Sequence, residues 1–216
     1  PAGAIVGKTT LWQEMAEGLR YVWSWPGLRL LLFMAMVLNF VGNPAFSLIP
    51  IMVTKYFHGG ALQLGWMNSG WGIGVVLGGL ILGAWGGFRR RTHTSFAGLI
   101  GGALAALAIG LAPATFFWLA LVGVLVAGVM NAITNGPLYA IMQATVAPEM
   151  QGRVFTVIGS LCGLMSPLGM AIAGPVADAL GVSIWFVVDG LVCLIMGTGA
   201  FFVPALVNME DNHGQA

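Results

Sequence analysis

The sequence predicts an all-α membrane protein, six transmembrane helices preceded by an amphipathic helix. Three observations carry that prediction. Hydrophobic residues make up 58% of the chain and charged residues 7%, with a mean hydropathy of +0.92. A soluble domain carries about 25% charged residues, so this chain cannot cover a water-facing surface and lipid must be its solvent. The apolar residues form six stretches, each long enough for the ~20 residues of helix that a bilayer core requires. Finally, Asn39 and Asn43 in one stretch recur as Asn131 and Asn135 in another. Each pair is spaced i,i+4 and so lies on one helix face. Amides in lipid are costly unless they face protein, water or a ligand. Two matched pairs therefore point to a polar spot on the inner surface of a bundle, built by an internal repeat.

Residues 1–27 read as a linker. The chain opens on Pro1 without methionine or a signal-peptide layout, which reads as a piece of a longer protein. Thr10 and Gln13 are spaced as a capping box, and Leu11, Trp12, Met15, Leu19, Val22 and Trp23 then gather on one side of a helix. Such a helix lies at the membrane surface or packs under a bundle. Trp23, Trp25 and Pro26 mark its end, in the zone where interfacial aromatics settle.

The transmembrane half-domain spans 28–206, with helices expected at 28–54, 61–87, 94–112, 116–145, 153–177 and 183–206. The connections between them are short, so successive helices should be antiparallel neighbours. Pro44, Pro50, Pro137, Pro167 and Pro175 fall inside spans, where proline makes kinks that neighbouring helices repair. The second span carries Gly70, Gly74 and Gly78, then Gly79, Gly83 and Gly87, both series four residues apart. Small residues at that spacing let two helix backbones approach closely; Gly70, Gly74, Gly78, Gly83 and Gly87 are therefore expected to serve packing within the bundle, with a dimer seam as the alternative. Cys162 and Cys193 both sit in apolar stretches and read as packed thiols.

Charge sets the orientation. Lys8, Arg20, Arg29, Arg89, Arg90, Arg91 and Arg153 fall on one side of this layout and only Lys55 on the other. By the positive-inside rule the linker, the Arg-rich turn and the tail at 207–216, with Glu210 and Asp211, are cytoplasmic. No basic patch with interleaved aromatics is present to bind nucleic acid. His58, His93 and His213 are isolated and lack metal-ligand spacing. Neither a P-loop nor a nucleophile–base constellation occurs. The sequence thus predicts no enzyme, no metal site and no cofactor.

At this point particular residues resemble a family. An amphipathic segment, six helices and an Arg-rich turn between the second and third resemble the C-terminal half of a major facilitator superfamily transporter. Gly83, Gly86 and Gly87 ahead of Arg89, Arg90 and Arg91 are similar to that superfamily's cytoplasmic signature, with Gly86 near the place of its usual acidic residue. Pro148 to Val154, including Glu149, Gly152 and Arg153, is similar to a loop of the macrolide-efflux and siderophore-exporter branch of drug:proton antiporters. Trp12 to Val22, including Glu14, Glu17 and Arg20, is similar to that branch's linker.

The resemblance implies two inverted three-helix repeats with substrate near the midplane. It also implies a missing N-terminal six-helix half as partner, and a bacterial inner membrane with both chain ends cytoplasmic. The activity it implies is proton-coupled export of a hydrophobic or amphiphilic small molecule, such as a drug, macrolide or siderophore, by alternating access. A non-transporting membrane scaffold and uptake of a small nutrient are the alternatives; uptake would call for more buried charge than this chain offers.

In the family the leading helices of the two repeats line the central cavity, and the amide pairs lie on those helices. Asn39 is roughly 16 Å from the start of its span, near the middle of a ~30 Å core. Asn39, Asn43, Asn131, Asn135 and Trp71 are thus the substrate-cavity candidates, Trp71 by stacking on a flat solute. For the amides, helix-to-helix hydrogen bonding or repair of the nearby proline kinks stands as the other reading. Asp189 is the one acidic residue well inside a span and the candidate proton carrier; reaching interfacial water from about two turns below the outer end is the alternative. Arg89, Arg90, Arg91, Glu149 and Arg153 are candidates for a cytoplasmic gate or for fixing topology, with Arg153 and Glu149 as a latch pair. Trp118 and Trp185, near outer helix ends, read as interface anchors.

Overall fold

The computed structural model describes residues 11–208, with side chains from Gln13 onward. Lys8, the Thr10 cap, the Leu11 and Trp12 side chains, Glu210, Asp211, His213 and most of the tail lie outside the described residues. Within them, α1 covers Leu11–Ser24 and α2 Pro26–Ser47. A short α3, Ile49–Ile51, and a π-helical turn over Met52–Tyr56 carry α2 onward. Then come α4 (Ala61–Trp85), α5 (Arg91–Gly110), α6 (Phe117–Thr145), α7 (Pro148–Leu180), α8 (Val182–Ala200) and the four-residue α9 (Pro204–Val207). Six helices are long and apolar enough to cross a bilayer, the first running from Pro26 to Tyr56.

Two boundaries differ most from the sequence expectation. Pro148 to Gly152 is not a loop but the first turn of α7, because Pro148 takes the N1 position where its missing N–H costs nothing. The last span ends at Ala200 rather than 206, and α9 starts afresh at Pro204, which cannot continue a helix. At 33 residues α7 is about 50 Å long, well beyond a ~30 Å core. Its first turns give α1 a docking site. Gly18 of α1 is buried so close to the Arg153 carbonyl that a Cβ there would stand 2.9 Å from it, and Val22 is fully buried beside it. The face of α1 that docks is therefore Gly18 and Val22; Leu19 and Trp23, expected on that side, remain exposed.

The helices follow one another in space as α4, α6, α5, α8, α2, α7, an arc in which α5 packs on α8 at the centre. Exchanging α2 with α6, α4 with α7 and α5 with α8 carries the packed pairs α4–α6, α5–α6 and α5–α8 onto α2–α7, α2–α8 and α5–α8, as an inverted repeat requires, the α7–α8 contact being the exception. The α4–α6 seam rests on glycine. A Cβ on Gly74 or Gly78 would collide with the carbonyls of Leu125 and Val129, and one on Gly70 would stand 3.2 Å from Leu121. A step of four on α4 matches a step of four on α6, so the two run parallel.

The second glycine series behaves differently. Gly79 and Gly83 have no neighbour within 4 Å, so they do not pack inside this bundle. Gly87 is in the turn after α4, with φ +81°, and Gly86 before it is a left-handed C-cap at φ +76°, whose N–H bonds the Leu82 carbonyl. Two successive positive φ angles are what glycine allows and an acidic residue resists.

Two apolar clusters close the ends of the arc. At the end bearing the arginines, Val22, Leu28, Phe96, Ile141, Val154 and Leu206 pack together. At the opposite end Met52, Phe57, Met67, Val124 and Trp185 do so.

Candidate functional site

The inner side of the arc encloses a cavity of about 550 Å³. Its walls come from α2, α5, α6 and α8, with Trp71 of α4 and Leu206 of α9. Asn39, Asn43, Asn131, Asn135 and Trp71 all line it, and so does Asp189. The arginines Arg89, Arg90, Arg91 and Arg153 and the acid Glu149 do not.

Each leading helix carries an internal proline, and other helices pack on the backbone one turn ahead of it. Pro44 cannot donate to the Phe40 carbonyl. That carbonyl lies against Gly169 of α7, where a Cβ would overlap it and stand 2.8 Å from the Pro44 ring. The next carbonyl, Val41, accepts a 3.0 Å hydrogen bond from the indole N–H of Trp185. Trp185 is 4% exposed and is thus not an interface anchor; its indole N–H is spent on the Val41 carbonyl of α2. Pro137 leaves the Ile133 carbonyl without its helical donor in the same way, and Gly98 of α5 packs at Ile133 and Thr134. Thus α5, α7 and α8 pack on the backbone around the two prolines, while the four asparagines line the cavity.

The amides are bonded along their own helices. Asn43 Nδ2 donates to Asn39 Oδ1 at 3.0 Å, and Asn39 Nδ2 donates to the Ala35 carbonyl at 2.8 Å. Asn135 Nδ2 donates to the Asn131 carbonyl at 3.0 Å, while the Asn131 carboxamide makes no hydrogen bond to another described group. Among the described residues none of these four asparagine amides bridges two helices. The hydroxyl of Ser95, 1% exposed and lining the cavity toward the arginine-bearing end, also has no partner.

Asp189 points inward, level with Gly42 of α2, whose Cβ position is 3.7 Å from Oδ1. Among the described residues its one hydrogen-bond partner is the Cys193 thiol, which donates to Oδ1 across 3.5 Å. Trp71 meets Phe46 with ring centroids 5.3 Å apart and tilted by 60°. Sequence reasoning missed Phe46, Tyr139 and Cys193. Helical spacing was enough to find them: Phe46 follows Asn43 by three, Tyr139 follows Asn135 by four and Cys193 follows Asp189 by four, so each shares a face with a residue already singled out.

Outside the cavity, Arg153 pairs with Glu17 of α1 rather than with Glu149. Glu149 lies in the first turn of α7, and the Arg153 guanidinium reaches across to α1 instead. Arg90 donates to the Val207 carbonyl at 3.3 Å and to Asn208 Oδ1 at 3.1 Å, tying the turn before α5 to α9. Trp118 is exposed and stacks on Trp66 at 5.4 Å.

Comparison with known proteins places this arrangement. The family model described as Major Facilitator Superfamily matches residues 30–215. This chain belongs to the Major Facilitator Superfamily. Within it, the chain is 29% identical over 184 residues to macrolide efflux protein A of Streptococcus pyogenes, covering 84% of this chain and 45% of that protein. It is 33% identical over 199 residues to the multidrug efflux pump Tap of Mycolicibacterium fortuitum, covering 91% of this chain and 47% of the pump. The Tap pump of Mycobacterium tuberculosis is 32% identical over 206 residues, 91% of this chain and 46% of that protein. The chain thus spans about half the length of the curated relatives it matches. No solved structure matches it. It is a multi-pass membrane protein of a transporter superfamily, and its six-helix arc is that superfamily's fold.

Proposed function

We propose that the chain is the C-terminal half of a secondary transporter that exports a hydrophobic or amphiphilic small molecule by alternating access. The observation that carries this reading is the cavity of about 550 Å³, apolar over most of its wall, with four carboxamides on two proline-bearing helices. Pockets of about 300–1,000 Å³ with apolar walls and a few polar groups suit drug-sized ligands. The apolar wall supplies most of the affinity and the amides orient the solute, Asn131 first because its carboxamide is uncommitted. The names of the relatives, macrolide and multidrug efflux, favour export over uptake.

The partner is a second six-helix half, so far represented only by the extra length of the relatives. Its docking surface is the uncovered side of the arc, where α4 exposes Leu62, Ile73, Val76 and Leu80 and α7 exposes Leu164, Leu168 and Ile172. The two halves rock about the midplane site. The arginine-bearing end faces the cytoplasm of a bacterial inner membrane, because that side retains basic residues. Asp189, the carboxylate in the cavity, is the proton carrier that couples export to the gradient, since proton and solute then bias the same two-state equilibrium.

The complete protein in proteoliposomes should show gradient-driven flux of a hydrophobic drug, reduced by Asn131→Leu. Absence of flux for every hydrophobic drug and siderophore tried would count against export. Undiminished cellular function of the Asn39→Leu, Asn131→Leu double variant would favour a scaffold, which needs no polar midplane.

A further inference from the structure

A second hollow, of about 220 Å³, opens on the seam between α2 and α8 at the arginine-bearing end. Leu30, Phe33 and Met34 of α2 form one wall, and Met196 and Gly199 of α8 the other; the lining is apolar almost throughout. Gly199 helps to make the groove, since a Cβ there would meet nothing within 4 Å. Neither α4 nor α7 contributes, so the groove lies apart from the surface assigned to the partner half. Met34 and Leu206 line the central cavity as well, so the groove backs onto the cavity wall. An open apolar furrow along two membrane spans is a place for an acyl chain.

Charge says which lipid. Arg29 is exposed in the first turn of α2, one residue nearer the helix start than Leu30, and shares a face with Phe33 at i,i+4. Its guanidinium makes no hydrogen bond or ion pair with another described residue, whereas Arg90 is spent on α9 and Arg153 on Glu17. An unspent guanidinium at the mouth of an apolar groove between spans matches a phosphate above an acyl chain, and pairs with it through two parallel hydrogen bonds.

We infer that the α2–α8 groove holds one chain of an anionic phospholipid whose phosphate pairs with Arg29. The chain runs from Leu30 toward Met34, along the outer side of the cavity wall. A zwitterionic phospholipid offers the same chains and phosphate but carries its own cation, which competes with the arginine. The inference does not rest on the transport reading, because the site lies outside the cavity.

The test is native mass spectrometry of the complete transporter, stripped of lipid in detergent and titrated with dioleoyl phosphatidylglycerol or dioleoyl phosphatidylcholine. The first phosphatidylglycerol should bind about fivefold more tightly than the first phosphatidylcholine. Arg29→Gln should bring that ratio close to one, and Arg29→Lys should keep most of it. Lys55→Gln removes the same charge at the opposite end and should leave the ratio unchanged. Gly199→Leu fills the groove and should weaken both lipids alike. Phosphatidylglycerol should also raise the thermal transition of the parent more than that of Arg29→Gln, because a ligand of the folded state stabilises it. Equal affinity for the two lipids, or an unchanged ratio in Arg29→Gln, overturns the ion pair. Undiminished binding of both lipids to Gly199→Leu overturns the groove. Should Gly199→Leu fail to fold, the ratios in the parent, Arg29→Gln and Lys55→Gln decide.

Discussion

The helices α2 and α6 hold the same device in two different states. Each carries two asparagines at i,i+4 ahead of a proline, and a glycine of another helix packs on the backbone about one turn before each proline, Gly169 for α2 and Gly98 for α6. On α2 the amides form a chain, Asn43 to Asn39 to the Ala35 carbonyl, and Trp185 adds a bond from α8 to the Val41 carbonyl. On α6 Asn135 bonds the Asn131 main chain and the Asn131 carboxamide is left to the cavity. Equal spacing in sequence therefore does not mean equal availability. The α2 wall is a fixed polar surface, whereas α6 presents an amide with its hydrogen bonds still to make.

The largest break in the comparison should come from the kink covers. Gly169→Leu places side-chain atoms where the Phe40 carbonyl and Pro44 ring already are, and should cost about 3 kcal/mol or more, with loss of monodisperse protein. Gly163→Leu, on the same helix but with nothing within 4 Å, should leave the thermal transition within about 0.5 kcal/mol of the parent. If both were equally tolerated, the Gly169 contact would not be what holds α7 against α2. Gly98→Leu should act on α6 as Gly169→Leu acts on α2, since it would enter Thr134.

Trp185→Phe removes the donor to the Val41 carbonyl and has no counterpart on α6; a loss of about 1–3 kcal/mol in thermal unfolding is expected. In ligand binding, Asn131→Leu should weaken affinity by up to about tenfold and Asn39→Leu by about threefold or less, because a net hydrogen bond is worth ~0.5–1.5 kcal/mol and Asn39 has already made its own. A reversed order would show that α2, not α6, is the recognising wall. The smallest effect belongs to the Arg153–Glu17 pair, half exposed at the surface. Glu17→Ala should change stability by less than about 1 kcal/mol and should fade further in high salt.

Much of this molecule was legible before folding. Scarcity of charge and six apolar runs fix a polytopic helical protein, because each backbone polar group in lipid must be satisfied inside a helix. The inward face of the asparagines follows from their cost in lipid, and the i,i+4 rule extends that face to Phe46, Tyr139 and Cys193. Gly70, Gly74 and Gly83 look alike in sequence, but only the first two meet α6. Trp118 and Trp185 both sit near the start of a span, yet one is exposed and the other is spent on the Val41 carbonyl. Arg153 takes Glu17, 136 residues away, over Glu149, four away. Local spacing states which residues share a face; only the packing of distant segments decides which face is covered, which polar atoms are already bonded, and which remain free for a ligand.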